Sequence, residues 1–392
     1  MPVKQTCHDL AAHGGRPAFA QPLHVGRPYL GNRQRLFERL EGVLERGWVT
    51  NDGPLVRELE VQLARRLAVK HCVAVCNGSL ALQLCARALG LRGEVILPSF
   101  TFVATAHALA WDGLVPIFGD IGRHTHTIDP AHVAELMTEQ TSAIVGVHLW
   151  GRPCDIAALS AIARARRVRL IFDAAHAFGC TYDDRPIGGF GDAEVFSFHA
   201  TKFFHTLEGG AVATNDDDLA AKLRLMRNHG IAGLDRVAGL GINAKMSEMC
   251  AATGLTLLEE LEDILAINRR NDARYRRALA GIAGLRLLDY DDRQQSNRQF
   301  VVVEVDAQRA GIGRDALVDV LRAENVLARR YFYPGCHRVE PYRGFAATRS
   351  LPETERVADR VVCLPTGPAV SEADIDVIAQ IVRIACAPLA TR

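Results

Sequence analysis

The sequence predicts an α/β protein: a largely parallel sheet covered by helices on both faces, followed by a smaller α/β unit. Three observations carry this. Short apolar runs recur after residue 70, namely VAVCN (73–77), EVILP (94–98), VPIFGD (115–120), AIVGVHL (143–149), VRLIFD (168–173) and EVFSFH (194–199). Helical patterns such as SLALQLCARAL lie between most of them, and strands apolar on both faces need cover on both sides. The 392 residues, 48% of them hydrophobic, suffice for one large core and a second one.

Along the chain, residues 1–25 are rich in Gly, Pro, Ala and His without periodicity and are expected to form a flexible arm. From Asn32 to Arg46, Leu36, Phe37, Leu40, Val43 and Leu44 recur at three- and four-residue steps, which predicts an amphipathic helix ending at Gly47. TNDGP at 50–54 supplies a turn and a proline that opens the next helix, LVRELEVQLARRL. The strand–helix region follows as a large unit spanning 26–260. A long helical stretch, Lys245–Leu279, then leads into a small unit spanning 261–392, read from the strand QFVVVEV (299–305) and the helices RDALVDVLRAENV and ADIDVIAQIVRIA.

Lys and Arg number 46 against 45 Asp and Glu, so no net field favours nucleic acid or a membrane surface. No apolar run reaches the roughly 18 residues of a membrane span, and the start of the chain has no continuous apolar segment. The ten cysteines form no CxxC pair. Cys72 and Cys76, at even spacing in an apolar run, are expected on one strand face as buried thiols, in a protein of a reducing, cytoplasmic compartment.

Four constellations point to chemistry. Asn77-Gly78-Ser79 joins a strand to a helix, where unpaired N–H groups and a missing side chain suit a phosphate; the plainer reading is an N-cap by Ser79. Asp173 ends an apolar strand in IFDAAHAFG, a costly position for a carboxylate unless a positive group faces it, and His176 follows three residues on. No metal-ligand spacing accompanies them. Lys202 lies among Phe196, Phe198, Phe203 and Phe204, surroundings that lower an amine's pKa and make it a nucleophile for an aldehyde; Ser197 precedes it by five residues. Asn243 precedes a helix start at Ser247-Glu248, free either to cap or to reach a ligand. Taken together, a phosphate site, an amine for an aldehyde and a carboxylate for a ring nitrogen call for pyridoxal 5'-phosphate.

DAAHAFG, FSFHATKFFHTLEGGA and GINAKMSE together resemble the DegT/DnrJ/EryC1/StrS sugar aminotransferases, over a span from about residue 25 to 371. The resemblance implies the fold-type I, aspartate aminotransferase-like architecture with a seven-stranded sheet. It implies Lys202 as the lysine that carries the cofactor, Asp173 on the pyridinium nitrogen and His176 beside the ring. Gly78, Ser79 and Ser197 match phosphate ligands, Phe102 an aromatic ring stacked on the pyridine, and Asn243 a phosphate ligand supplied by the neighbouring subunit of a homodimer. His205 stands where many relatives carry Asn. GWVTNDGPLVRE, VHLWGRP, HATKFF, YFYPGCH and LPTGPAVS are similar to the subgroup that aminates C4 of dTDP-4-keto-6-deoxyglucose, with L-glutamate as implied donor. Amination at C3 and a galacto-configured C4 product are the neighbouring alternatives. Relatives that work as dehydratases replace the lysine by His, and a non-catalytic nucleotide-sugar binder would lack the lysine or the Asp; both residues are present here. A nicotinamide oxidoreductase is disfavoured because no Gly-rich fingerprint follows the first strand.

Overall fold

The computed structural model describes residues 4–344 and 350–387. Its central sheet has seven strands: β1 (His71–Val75), β2 (Glu94–Pro98), β3 (Val115–Gly119), β4 (Thr141–Val147), β5 (Arg169–Asp173), β6 (Ala193–Ser197) and β7 (Gly210–Thr214). Their order is β1-β7-β6-β5-β4-β2-β3, and only β7 runs antiparallel to its neighbours. The period-2 alternation of each strand divides the apolar side chains between two cores. Cys72, Ala74, Ile96, Ile144, Leu170 and Phe172 face one helical layer, which includes α2 (Pro54–Arg66), the helix that follows α1 (Arg33–Arg46). Val73, Val75, Val95, Leu97, Val145 and Ile171 face the other, which includes α3 (Gly78–Ala88) and α4 (Val103–Trp111). The fold is therefore the α/β architecture expected, with the predicted seven strands.

Cys76 departs from the expected pairing. The strand ends at Val75, so the alternation does not extend to Cys76, which packs in the second layer while Cys72 packs in the first. All ten cysteines are free thiols.

The helical stretch predicted over 245–279 is two helices, Glu248–Glu259 and Leu261–Leu279, which meet at Glu260. The Glu260 carboxylate accepts hydrogen bonds from the Tyr29 hydroxyl and the Asn32 amide, 2.7 and 2.6 Å away. The second helix enters two cores: Leu261, Ile264 and Leu265 pack in the large unit, Tyr275 and Leu279 in the small one. The small unit carries an antiparallel sheet of β8 (Leu285–Leu287), β9 (Val301–Val305) and β10 (Val361–Leu364), backed by helices Arg314–Ala323 and Glu372–Ala385.

The N-terminal segment is not a detached arm. Leu10, Ala18 and Phe19 are buried in the core of the small unit, and Leu23–His24 pairs with Val326–Leu327. The buried Glu324 carboxylate holds the segment in place. It accepts the Ala11 and Ala18 amides at 2.7 and 2.6 Å and pairs with the buried Lys4 ammonium at 3.2 Å. No local periodicity marks this segment because its anchors lie about three hundred residues away in sequence.

Removing Glu324 strands a buried cation and two amides, a loss of about 3–5 kcal/mol for a broken buried pair. In Glu324→Ala, limited proteolysis is expected to cut within residues 4–19 much faster than in the parent chain. Equal cutting rates contradict the anchoring.

Candidate active site

The sheet places the carboxyl ends of β1, β2, β5 and β6 along one edge, the position at which open α/β sheets hold ligands. A cavity of about 580 Å³ opens there, and Gly78, Ser79, Phe102, Asp173, His176, Ser197 and Lys202 all line it. These are seven of the eight residues singled out in the sequence. Asn243, the eighth, is exposed and lies outside the cavity of its own chain, forming an isolated bridge with Asn228.

The turn after β1 prepares an anion site. The cap of α3 is Asn77, whose side chain accepts the Leu80 amide at 2.8 Å, rather than Ser79. The Ser79 hydroxyl is thereby left to the cavity, and the Gly78 and Ser79 amides at the first turn have no intrahelical acceptor. Close approach of three strands demands the glycines here. A Cβ on Gly78 would lie 3.1 Å from the Ser197 Cβ, and one on Gly210 2.7 Å from the Asn77 carbonyl carbon.

Asp173 ends β5, paired in register with Val147 on one side and Val195 on the other. Its carboxylate accepts the Thr105 hydroxyl at 2.8 Å and the Ala175 amide at 3.0 Å, and Thr105 is itself 3.0 Å from the Thr101 hydroxyl. Burial raises its pKa above the usual carboxylate value, and these hydrogen bonds and the Lys202 charge oppose the rise. Thr105 was not among the residues read from the sequence. Its one signal was its place in the first turn of a helix that follows an apolar strand.

Lys202 follows β6 and is half-buried, with its amine free of any hydrogen-bond or ion-pair partner among the described residues. Desolvation pulls its pKa down to about 8, opposed by the negative Asp173. His176 is buried and its pKa is pushed well below the ordinary imidazole value, chiefly by burial and further by the Lys202 charge. Its ring lies parallel to Phe332, 5.8 Å between centroids. Phe102, 56% exposed, flanks the opening 6.0 Å from Phe332.

The small unit also contributes Arg329, Tyr331 and Phe332 to the lining, and the loop after β6 contributes His199, Thr201 and Glu208. Arg329, Tyr331 and Phe332 escaped the sequence reading because only the tertiary fold brings them to Lys202, whereas His199 and Thr201 are its neighbours in the chain and carry no pattern that singles them out. His205 takes no part in the cavity. It is fully buried, with Nδ1 accepting the Leu207 amide at 3.2 Å and Nε2 donating to the Tyr29 carbonyl at 3.0 Å, and so ties the lysine loop to the segment above it.

The donor set fits pyridoxal 5'-phosphate. Free amides and two hydroxyls converge where a phosphate would sit, a side chain on Gly78 would fill the cradle, and an unpartnered amine shares the cavity with a buried carboxylate.

Comparison with known proteins shows the family of the chain. The chain is 36% identical to a dTDP-4-amino-4,6-dideoxy-D-glucose transaminase of Shigella dysenteriae, over 93% of this chain and 99% of that one. It is 34% identical to the transaminase of the same name from Escherichia coli, over 87% and 92%. A solved structure of DesI in the presence of its TDP-sugar product is 51% identical, covers 97% of this chain and 96% of that chain, and superposes with a TM-score of 0.93. The profile of the DegT/DnrJ/EryC1/StrS aminotransferase family matches residues 32–383. The protein thus belongs to the DegT/DnrJ/EryC1/StrS aminotransferase family.

Proposed function

We propose that this aminotransferase moves the amino group of L-glutamate to C4 of dTDP-4-keto-6-deoxy-D-glucose, giving dTDP-4-amino-4,6-dideoxy-D-glucose. The observation that carries the reading is the desolvated, unpartnered Lys202 amine in one cavity with the buried Asp173 carboxylate. When bound, pyridoxal phosphate supplies an aldehyde carbon that takes up and hands on the amino group, and a ring that withdraws electrons from it.

Each residue then has a task. Gly78 and Ser79 amides, with the Ser79 and Ser197 hydroxyls, bind the phosphate. Asp173 holds a proton on the ring nitrogen, and Thr105 and Ala175 fix the orientation of its oxygens. Phe102 covers a ring face. Lys202 would hold the cofactor through Nζ, and the same Nζ would move a proton between the cofactor carbon and the substrate carbon. Donor and sugar use one site in turn, so the kinetics are ping-pong.

The active unit in this reading is a homodimer in which Asn243 of each copy reaches the other's phosphate site. Two features support it: Asn243 does not line its own cavity, and the adjoining segment exposes Leu234 and Leu240 at 96% and 90%. Free thiols throughout and a nucleotide-sugar substrate support a cytoplasmic site of action. Among the described residues no helix is long and apolar enough to cross a membrane.

Incubation with dTDP-4-keto-6-deoxyglucose and L-glutamate, followed by NMR of the sugar, is expected to show an equatorial amine at C4. Nitrogen at C3, or an axial amine at C4, overturns the substrate assignment. Lys202→Ala is expected to lower turnover by about 10⁴-fold, the scale of a lost acid–base and nucleophilic group, and to abolish the visible band of the loaded protein. Retained turnover contradicts the role of Nζ.

Burial disfavours the charged amine, so Lys202 loses its proton at lower pH than a solvated lysine does. In the protein freed of cofactor, acylation of Lys202 followed by mass spectrometry should therefore accelerate as pH rises, with a midpoint at about 8. A midpoint near the ordinary value of 10.5 contradicts the desolvated site.

A further inference from the structure

Trp150 is buried completely, yet its backbone sits in the left-handed region, φ 56° and ψ 24°, a conformation that bulky residues rarely adopt. Gly151 follows at φ 82°, and a Cβ there would lie 2.8 Å from the Asn297 Oδ1 and 3.3 Å from the His176 carbonyl oxygen. Two successive positive-φ residues therefore turn the chain directly against His176. The turn aims the Trp150 main-chain N–H at the His176 Nδ1, 3.3 Å away. The Trp150 ring packs edge-on against Phe100, 5.6 Å between centroids, which keeps the turn in place. The His176 carbonyl oxygen is gripped from the other side by the Asn297 and Gln299 side-chain amides, each at 2.8 Å.

A main-chain N–H can only donate, so Nδ1 must carry the lone pair and Nε2 the proton. The aromatic rings around the imidazole, Phe300 at 4.6 Å and Phe332 at 5.8 Å, offer no competing acceptor. Nε2 has no partner among the described residues, and His176 lines the cavity. We infer that Trp150 is a positioning residue of the active site: its N–H locks His176 as the neutral Nε2–H tautomer, which faces the cavity as a hydrogen-bond donor. The opposite tautomer would set two hydrogens against each other in a buried turn and present a lone pair to the cavity. The depressed pKa of His176 agrees with a neutral ring near pH 7. A donor at this place suits an anionic oxygen on the edge of a bound ring; that consequence rests on the pyridoxal phosphate reading, whereas the tautomer does not.

The test is ¹⁵N NMR of the full-length chain labelled at histidine and tryptophan, with and without pyridoxal phosphate; the His176 signal is assigned by its loss in His176→Gln. From about pH 6 to 8, Nε2 is expected to be protonated and Nδ1 bare, with no titration. A protonated Nδ1, or titration to imidazolium in that range, overturns the inference. Glutamine can accept with Oε1 and donate with Nε2, whereas leucine can do neither. Exchange of the Trp150 amide hydrogen is therefore expected to stay slow in His176→Gln and to become at least about tenfold faster in His176→Leu. In the loaded enzyme, the pH midpoint of the visible band is expected to rise by about one unit in His176→Leu and to stay within about half a unit in His176→Gln. Equal behaviour of the two variants overturns the donor role. A protein that takes up no pyridoxal phosphate but shows the bare Nδ1 refutes the functional reading and leaves the tautomer standing.

Discussion

The site depends on keeping a carboxylate and an amine in one desolvated cavity without letting them collapse onto each other. Asp173 is held back by the Thr105 hydroxyl and the Ala175 amide, which occupy its two oxygens, while the Lys202 amine has no partner among the described residues. Burial works against the charged form of both groups, raising the pKa of one and lowering that of the other. Such an arrangement is expensive in an apolar interior unless a ligand satisfies both ends. In the proposed reading that ligand is a ring with a protonated nitrogen at one end and an electrophilic carbon at the other, whose phosphate would take the third feature, the open first turn of α3.

The sheet makes this separation possible. β5 and β6 are adjacent and parallel, so Asp173 and the loop that carries Lys202 emerge at the same edge. The antiparallel β7 begins at that edge too, with Gly210 opposite both Val75 and Ser197. The missing side chains of Gly78 and Gly210 let three strand ends close on the turn at Asn77–Ser79. The small unit closes the cavity with Phe332, whose ring lies parallel to that of His176, and ties the backbone of His176 down through Asn297 and Gln299. The position of His176 is thus fixed by both units together.

Much of this was legible in the sequence where the signal is local. Val95, Ile96 and Leu97 read as one buried strand because both faces of a covered parallel strand must be apolar. Asp173 and Lys202 stood out because a charge at the end of an apolar strand, or among phenylalanines, needs a reason. What was not legible depends on long-range meetings. Ser79 looked like the cap of α3, but Asn77 two residues earlier takes that place, as only the backbone geometry reveals. Thr105 carries ordinary sequence surroundings and Trp150 appears only as one letter of VHLWGRP; the importance of both comes from the groups opposite them, Asp173 and His176. Residues 1–25 read as a loose arm because they show no periodicity, whereas Leu10 and Phe19 are buried and the carboxylate that binds the segment belongs to Glu324.

The central claim is that Lys202 and Asp173 grip opposite ends of one bound coenzyme. A crystal structure of the protein grown with pyridoxal phosphate tests it most directly. The account predicts unbroken electron density from the Lys202 Nζ into the coenzyme, the Asp173 carboxylate within hydrogen-bond distance of the ring nitrogen, and the phosphate on the Gly78–Ser79 turn. A coenzyme bound elsewhere, or one lying in the cavity with Nζ turned away and Asp173 facing only Thr105 and Ala175, would contradict it.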